Sequence, residues 1–238
     1  MELGLGEADE IGVRGVLLEA VRATDEALRG LSRAERTAPD SRGEIDRVRV
    51  EVRHAARMIL ESLLGMVEVE TGREGHSRRV ALRARAIAAR MGLGEVETER
   101  LEEAARLHDV GELMLDWERL AKPQALPQAQ RRPLRRHPTI GERLLPTVGL
   151  DAETCRMVGA HHERLDGTGY PDKLTGERVP LGAQILAVAE TFEAMTHGRP
   201  HRPAVETTEA IDKLRREATA GRLNSTVVEV LAQITNPN

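Results

Sequence analysis

The sequence predicts an all-α fold, and three observations carry that expectation. No segment sustains the apolar–polar alternation of a half-buried strand, whereas apolar residues recur at helical spacing between short Gly or Pro breaks. Aromatic residues are nearly absent, with Trp117, Tyr170 and Phe192 the only ones, so the core falls to Leu, Val, Ile, Ala and Met. Ala and Leu lead the helix scale. A chain of 238 residues that is 40% apolar and 31% charged has enough apolar material for a full core.

The elements follow in order. Residues 12–31 place Val13, Val16, Leu17, Ala20, Val21, Ala27, Leu28 and Leu31 on one stripe, broken only by Thr24, and read as a helical appendage. Pro, Asp, Ser and Gly gather in 37–43, which reads as a break or linker. A second helix is expected over 45–69, with Val48, Val52, Ala55, Ile59, Leu63 and Met66 on one face, until Gly72 and Gly75 interrupt it. Further helices are expected at 76–91, 96–109, 138–146, 151–162, 181–196, 207–219 and 224–234. The expected division is an appendage and linker over 1–46 and one helical domain over 47–238. The stretch 166–180, rich in Gly, Pro, Asp and Thr, directly follows a double histidine and is expected to be an ordered loop.

A net charge of -4 argues against binding a DNA or RNA polymer, which calls for a basic excess, but leaves a small anionic ligand open. The cationic charge is almost all Arg, with Lys only at 122, 173 and 213. Arg suits planar phosphate recognition, and a compositional bias of the source genome explains the same excess. Cys155 is the only cysteine, so no intramolecular disulfide forms. No run of about 18 apolar residues spans a bilayer and no signal peptide is recognisable, so no membrane association and a cytoplasmic location are expected.

Eight histidines occur, and one alone on a helix says little. His108-Asp109 differs in kind, because an adjacent imidazole and carboxylate at a helix end offer the donor mixture that borderline transition metals accept. Standing alone, the pair would read better as a helix C-terminus with a His favourably placed at the dipole. It does not stand alone. His161-His162 precedes the expected loop, His137-Pro138 opens a helix between the two pairs, and His76 opens an earlier one. Glu190 lies on the apolar stretch 184–192, and a carboxylate buried there needs a partner, for which a cation is the obvious choice.

HSRRV at 76–80, LHDVG at 107–111, HPTIG at 137–141, HHERLDGTGYP at 161–171, RVPL at 178–181 and RPHR at 199–202 follow one another in a familiar order. Through these motifs, residues from about 55 to 235 resemble the HD-GYP subfamily of the HD phosphohydrolases. The resemblance implies an HD-domain helical bundle with an N-terminal helical extension, hydrolysing cyclic di-GMP to linear pGpG and/or GMP through two metal ions and a bridging hydroxide. Carried over by position, one metal takes His76, His108, Asp109 and Glu190, and the other shares Asp109 and takes His137, His161 and His162. His108 and Asp109 are then the catalytic pair. Iron or manganese is the expected metal, with zinc or nickel also accepted by such donors. Arg199 and Arg202 would grip phosphate or guanine edges, while Tyr170 and Gly169 shape the pocket mouth. Arg79 and Arg199 have an equal second reading as partners of carboxylates in the fold, and Tyr170-Pro171 as a loop anchor alone.

The chain departs from that pattern at Glu112, where a Lys is usual three residues after the Asp, and a Glu there either repels substrate or binds metal. Gly72 stands where a three-metal member carries an acid, so two metals are expected. Glu112 motivates a second reading, a catalytically weak module that senses a nucleotide or serves as an interaction scaffold. The helices before residue 70 are expected to form a homodimer, and a signalling-protein partner would supply any input.

Overall fold

The computed structural model of the chain describes residues 12–115, 134–198 and 203–235. Among them nine α-helices form: α1 (Val13–Thr37), α2 (Arg42–Glu70), α3 (His76–Met91), α4 (Glu95–Leu107), α5 (His137–Leu144), α6 (Ala152–Ala160), α7 (Leu181–Thr196), α8 (Thr207–Thr219) and α9 (Ser225–Thr235). No strand occurs among the described residues, where a single bridge joins Asp166 to Thr175. The all-α expectation therefore holds. α1 runs on past residue 31 to Thr37, and the expected break shrinks to Ala38 and a 3-10 turn, Pro39–Ser41.

Two apolar clusters support the helices. The larger lies among α3, α4, α7, α8 and α9 and holds Val80, Ile87, Leu101, Leu186, Phe192 and Leu214. The smaller holds Leu17 of α1, Leu60 and Val67 of α2, Leu107 at the end of α4, and Leu113, Leu145 and Val158. Leu17 is fully buried there, so α1 is packed against the helices that carry the site. α2 turns differently from the expected face: it buries Ala56, Leu60, Leu63, Leu64 and Val67, and leaves Val48, Ile59 and Met66 outward, 38%, 41% and 56% exposed. α2 carries two apolar stripes, and only packing decides which one faces inward.

Helix ends converge on one place. His76 opens α3 and His137 opens α5, whereas His108 and His161 come directly after α4 and α6. Local hydrogen bonds fix the start of α3 and the start of α6. The buried Glu68 carboxylate accepts from Ser77 N at 2.8 Å and Ser77 Oγ at 2.6 Å, satisfying free donors at the start of α3. Gly75, before it, has φ +70°, a conformation costly for any residue with a Cβ. Asp151 caps α6, accepting from the amides of Glu153 and Thr154 at 2.9 and 3.1 Å. The 3-10 turn Val110–Met114 then lies on the start of α5 so closely that a Cβ on Gly111 would be 2.0 Å from the His137 carbonyl oxygen.

Gly111→Ala therefore forces the turn off α5, and overpacking of this kind costs about 1–3 kcal/mol. Urea unfolding should show that loss. Gly65→Ala, where a Cβ meets nothing within 4 Å in the middle of α2, should be neutral or stabilise by up to about 1 kcal/mol. Equal effects at both positions would contradict the packing described.

Candidate metal centre

At the point where the helix ends meet stands the Asp109 carboxylate, 5% exposed. Its two oxygens face different partners. Oδ1 lies 3.3 Å from His137 Nε2 and 4.0 Å from His161 Nε2, and Oδ2 lies 3.4 Å from His108 Nε2 and 4.0 Å from His76 Nε2. Around this axis two sets of donors form, His137 with His161 and His162, and His76 with His108 and Glu190, the atoms of each set all within 4.8 Å of one another. The structure thus brings together all seven residues expected to ligate metal. The imidazoles of His76, His108, His161, His162 and His137 run ring to ring with centroids 4.1–5.3 Å apart.

The tautomers follow from the outer nitrogens. His108 Nδ1 lies 2.8 Å from Ala105 O, His137 Nδ1 2.7 Å from Leu134 O, and His161 Nδ1 2.6 Å from Val158 O. A carbonyl oxygen only accepts, so each Nδ1 carries the proton and each Nε2 presents a lone pair to the centre. His76 Nδ1 donates in the same way to the Glu193 carboxylate. The lone pairs of His137 Nε2 and His161 Nε2 then face each other at 3.1 Å, and His108 Nε2 is buried without a hydrogen-bond partner. Such an arrangement is repulsive unless a cation sits among the nitrogens. The residues present therefore fit a metal centre.

Electrostatics agree with that reading. Burial and the neighbouring imidazoles His162, His137 and His108 hold His161 far below its ordinary pKa, and burial brings His162 down to about 4 against the pull of Glu190. Both stay neutral, as metal ligands must. Burial also resists protonation of His108, but Asp109 and Glu190 outweigh it and raise its pKa, so positive charge is drawn to that nitrogen. Asp109 stays ionised although burial opposes it, because His108, Arg73 and His137 lower its pKa.

The loop after His162 is tied to the centre by Glu163, whose buried carboxylate accepts from Asp172 N at 2.6 Å and Leu174 N at 3.1 Å. Tyr170 N donates to His162 O at 3.2 Å, and its ring lies 4.7 Å from the His162 ring at 34°. Gly169 is required in this turn, since a Cβ would come 2.3 Å from Arg164 N. The guanidinium of Arg135 sits 5.0 Å over the Tyr170 ring. The loop is thus ordered, and Tyr170 touches His162 of one donor set.

Other expected residues fare differently. Arg199 and Arg202 lie outside the described residues. Arg79 pairs with Glu193 through Nε and Nη2 at 2.8 and 2.7 Å, the fold-partner role. Glu112 stands apart from both donor sets: α4 ends before it, and from the following 3-10 turn its carboxylate bonds to Arg73. Arg73 and Glu193 are not among the expected site residues, and Glu163 is expected only as part of the segment 161–171. For Glu193 a signal existed, a second carboxylate one turn after Glu190 on the same helix.

Residues 61–227 match the HD domain family. The chain is 35% identical over 158 residues to 3'3'-cGAMP-specific phosphodiesterase 1 of Vibrio cholerae, covering 66% of this chain and 37% of that protein. It is 38% identical over 160 residues to the cyclic di-GMP phosphodiesterase response regulator RpfG of Xanthomonas campestris, covering 65% and 42%. A cyclic di-GMP phosphodiesterase of Thermotoga maritima is 35% identical over 182 residues, covering 74% and 48%. The chain spans less than half the length of these relatives. An HDG"Y"P protein from Bdellovibrio bacteriovorus shares the fold, with a TM-score of 0.58 at 15% identity over 98% of this chain and 74% of that one.

Glu193 gives the metal-free protein a pH signature. Burial opposes its ionisation, but hydrogen bonds from His76 and Arg79 win and bring its pKa down to about 2. A carboxylate depressed on folding stabilises the fold above its unfolded pKa and loses that contribution as pH falls through the folded value. The urea midpoint of the wild type should therefore exceed that of Glu193→Gln fully at about pH 6 and lose the excess between about pH 4.5 and about pH 2. An excess independent of pH would contradict this.

Proposed function

Since the chain belongs to the HD domain family, we propose that its centre binds two divalent transition metal ions and hydrolyses cyclic di-GMP to linear pGpG and/or GMP. The observation that carries this is the Asp109 carboxylate, which turns one oxygen to each of two three-residue donor sets. A bridging carboxylate between two imidazole-rich sets suits iron or manganese, with zinc or nickel as further candidates. Two such ions, when bound, polarise a phosphodiester and lower the pKa of the attacking water, so no protein nucleophile is required. The chain's own residues do the rest. His76, His108 and Glu190 hold one side, His137, His161 and His162 the other, and backbone carbonyls fix the imidazole tautomers. Tyr170 and Gly169 shape the mouth beside His162, and Arg199 and Arg202 take the substrate's phosphates or guanine edges. The relatives named for 3'3'-cGAMP make that dinucleotide the first competitor to assay.

Protein loaded with Mn²⁺ or Fe²⁺ should carry two ions per chain and turn over cyclic di-GMP, and Asp109→Ala should lose both metal and at least about a hundredfold in activity. Metal without turnover, together with retained dinucleotide binding, would select the nucleotide-sensing module instead. Glu112 is what favours that second reading.

The same proposal includes a homodimer through α2. Val48, Val52, Ala55, Ile59, Ser62, Met66 and Val69 follow one another in steps of four and three, the heptad spacing, and this stripe faces outward. At 1.5 Å per residue it runs about 32 Å, long enough for a seam between two copies of the helix. Light scattering at micromolar concentration should give twice the chain mass, and Ile59→Glu with Met66→Glu should give one chain mass with the fold intact. A monomeric wild type would end this part of the proposal.

A further inference from the structure

Arg73 lies in the turn between α2 and α3, three residues ahead of His76, and its backbone is fixed on both sides: its amide donates to Glu68 O at 2.6 Å and its carbonyl accepts from His76 N at 2.9 Å. The side chain is 13% exposed and all three guanidinium nitrogens are engaged. Nε donates to Thr71 Oγ1 at 3.1 Å, Nη1 to Asp109 Oδ2 at 2.9 Å, and Nη2 to Glu112. One cation thus stands between two buried carboxylates, of which Asp109 turns an oxygen to each donor set and Glu112 belongs to neither.

We propose that Arg73 and Glu112 form a charge-paired clamp that orients Asp109 as the bridging ligand, which makes Arg73 a positioning residue of the centre. The inference rests on the dinuclear reading above. To bridge, Asp109 must keep Oδ1 toward His137 and Oδ2 toward His108, yet the terminal torsion of an aspartate is broad and holds neither orientation by itself. The bond from Arg73 pins Oδ2. Because a carboxylate oxygen has two lone pairs, Oδ2 keeps one free for a cation. Glu112 supplies the other half of the device. Alone, a buried guanidinium would draw fully onto Asp109 and neutralise the charge that must attract metal. Shared with Glu112, it orients Asp109 and cancels less of that charge. Glu112 in this chain is then the counter-ion of Arg73, neither a metal ligand nor a bare charge facing substrate.

The test is titration of the metal-free protein with Mn²⁺, followed by calorimetry and by the electron paramagnetic resonance signal of exchange-coupled manganese pairs. Wild type should bind two ions and show the coupled signal. Arg73→Met should weaken binding of at least one ion by about tenfold or more and replace the coupled signal with that of isolated ions. Because Arg73→Met strands Glu112 as an unpaired buried charge and endangers the fold, the double variant Arg73→Met/Glu112→Met is the decisive one. It removes both charges and should keep the thermal midpoint of the metal-free protein near that of wild type while losing the coupled signal. Arg73→Lys, whose ammonium lacks the fork that serves two carboxylates, should recover binding in part. A folded double variant with wild-type affinity and a coupled signal overturns the clamp and leaves the dinuclear reading standing. A wild type that takes up no manganese overturns both.

Discussion

Placing an ionised carboxylate where water scarcely reaches costs several kcal/mol unless charge or hydrogen bonds return. At Asp109 the return is unusual. Four imidazoles surround it, yet His108, His137 and His161 turn lone pairs toward it, because their protons are committed to backbone carbonyls, and His76 does the same through Glu193. Of the surrounding side chains only Arg73 donates to it among the described residues. A carboxylate ringed by nitrogen lone pairs is a poor place for anything but a cation, and the geometry of the helix ends makes sense as the means of holding that arrangement.

Helix termini are well suited to the task for a reason internal to the backbone. The last turn of a helix leaves carbonyl oxygens without an intrahelical donor. His108 and His161 each follow a helix and bond through Nδ1 to the carbonyl three residues back, Ala105 and Val158. One hydrogen bond then satisfies a terminal carbonyl, fixes the ring and sets the tautomer. His137 uses the same three-residue step ahead of α5, to Leu134. What looks like a refinement for holding a cation is also an ordinary way of ending or beginning a helix, which is why these imidazoles need no additional framework. Glu163 extends the economy to the loop, since its two oxygens order the backbone that carries Tyr170 against His162.

Much of this was legible in the residues themselves. Helical spacing located every α-helix among the described residues to within a few positions, apart from the run of α1 to Thr37, and adjacent donors in His108-Asp109 and His161-His162 announced a centre because neighbours in sequence are neighbours in space. The failures have one cause, long-range packing. Glu193 reaches His76 across 117 positions and Arg73 reaches Glu112 across 39, and no local pattern encodes either pairing. The orientation of α2 failed for a related reason. Ile45, Ala56, Leu60, Leu64 and Val67 form one apolar stripe and Val48, Ile59 and Met66 another, so periodicity offers two faces and only the position of α1 and the turn after α4 selects between them.

Glu112 looked from the sequence like a charge working against hydrolysis, and the local charge balance changes that judgement. Its carboxylate is matched by Arg73, as Glu193 is matched by Arg79, so neither acid adds net charge to the centre. Among the described residues, what remains negative at the donor sets is the pair Asp109 and Glu190. Two divalent ions placed in the proposed donor sets would more than cancel them and leave the centre positive even with a hydroxide bound. The proposed substrate carries two phosphodiester groups, each with one negative charge. The electrostatic demand of binding such a dianion is therefore met without a lysine at position 112, provided Arg73 stays paired. On the clamp proposed for Arg73, charge lost in one helix turn is restored from another, and the orientation of Asp109 weighs more on the centre than the sign of its neighbour.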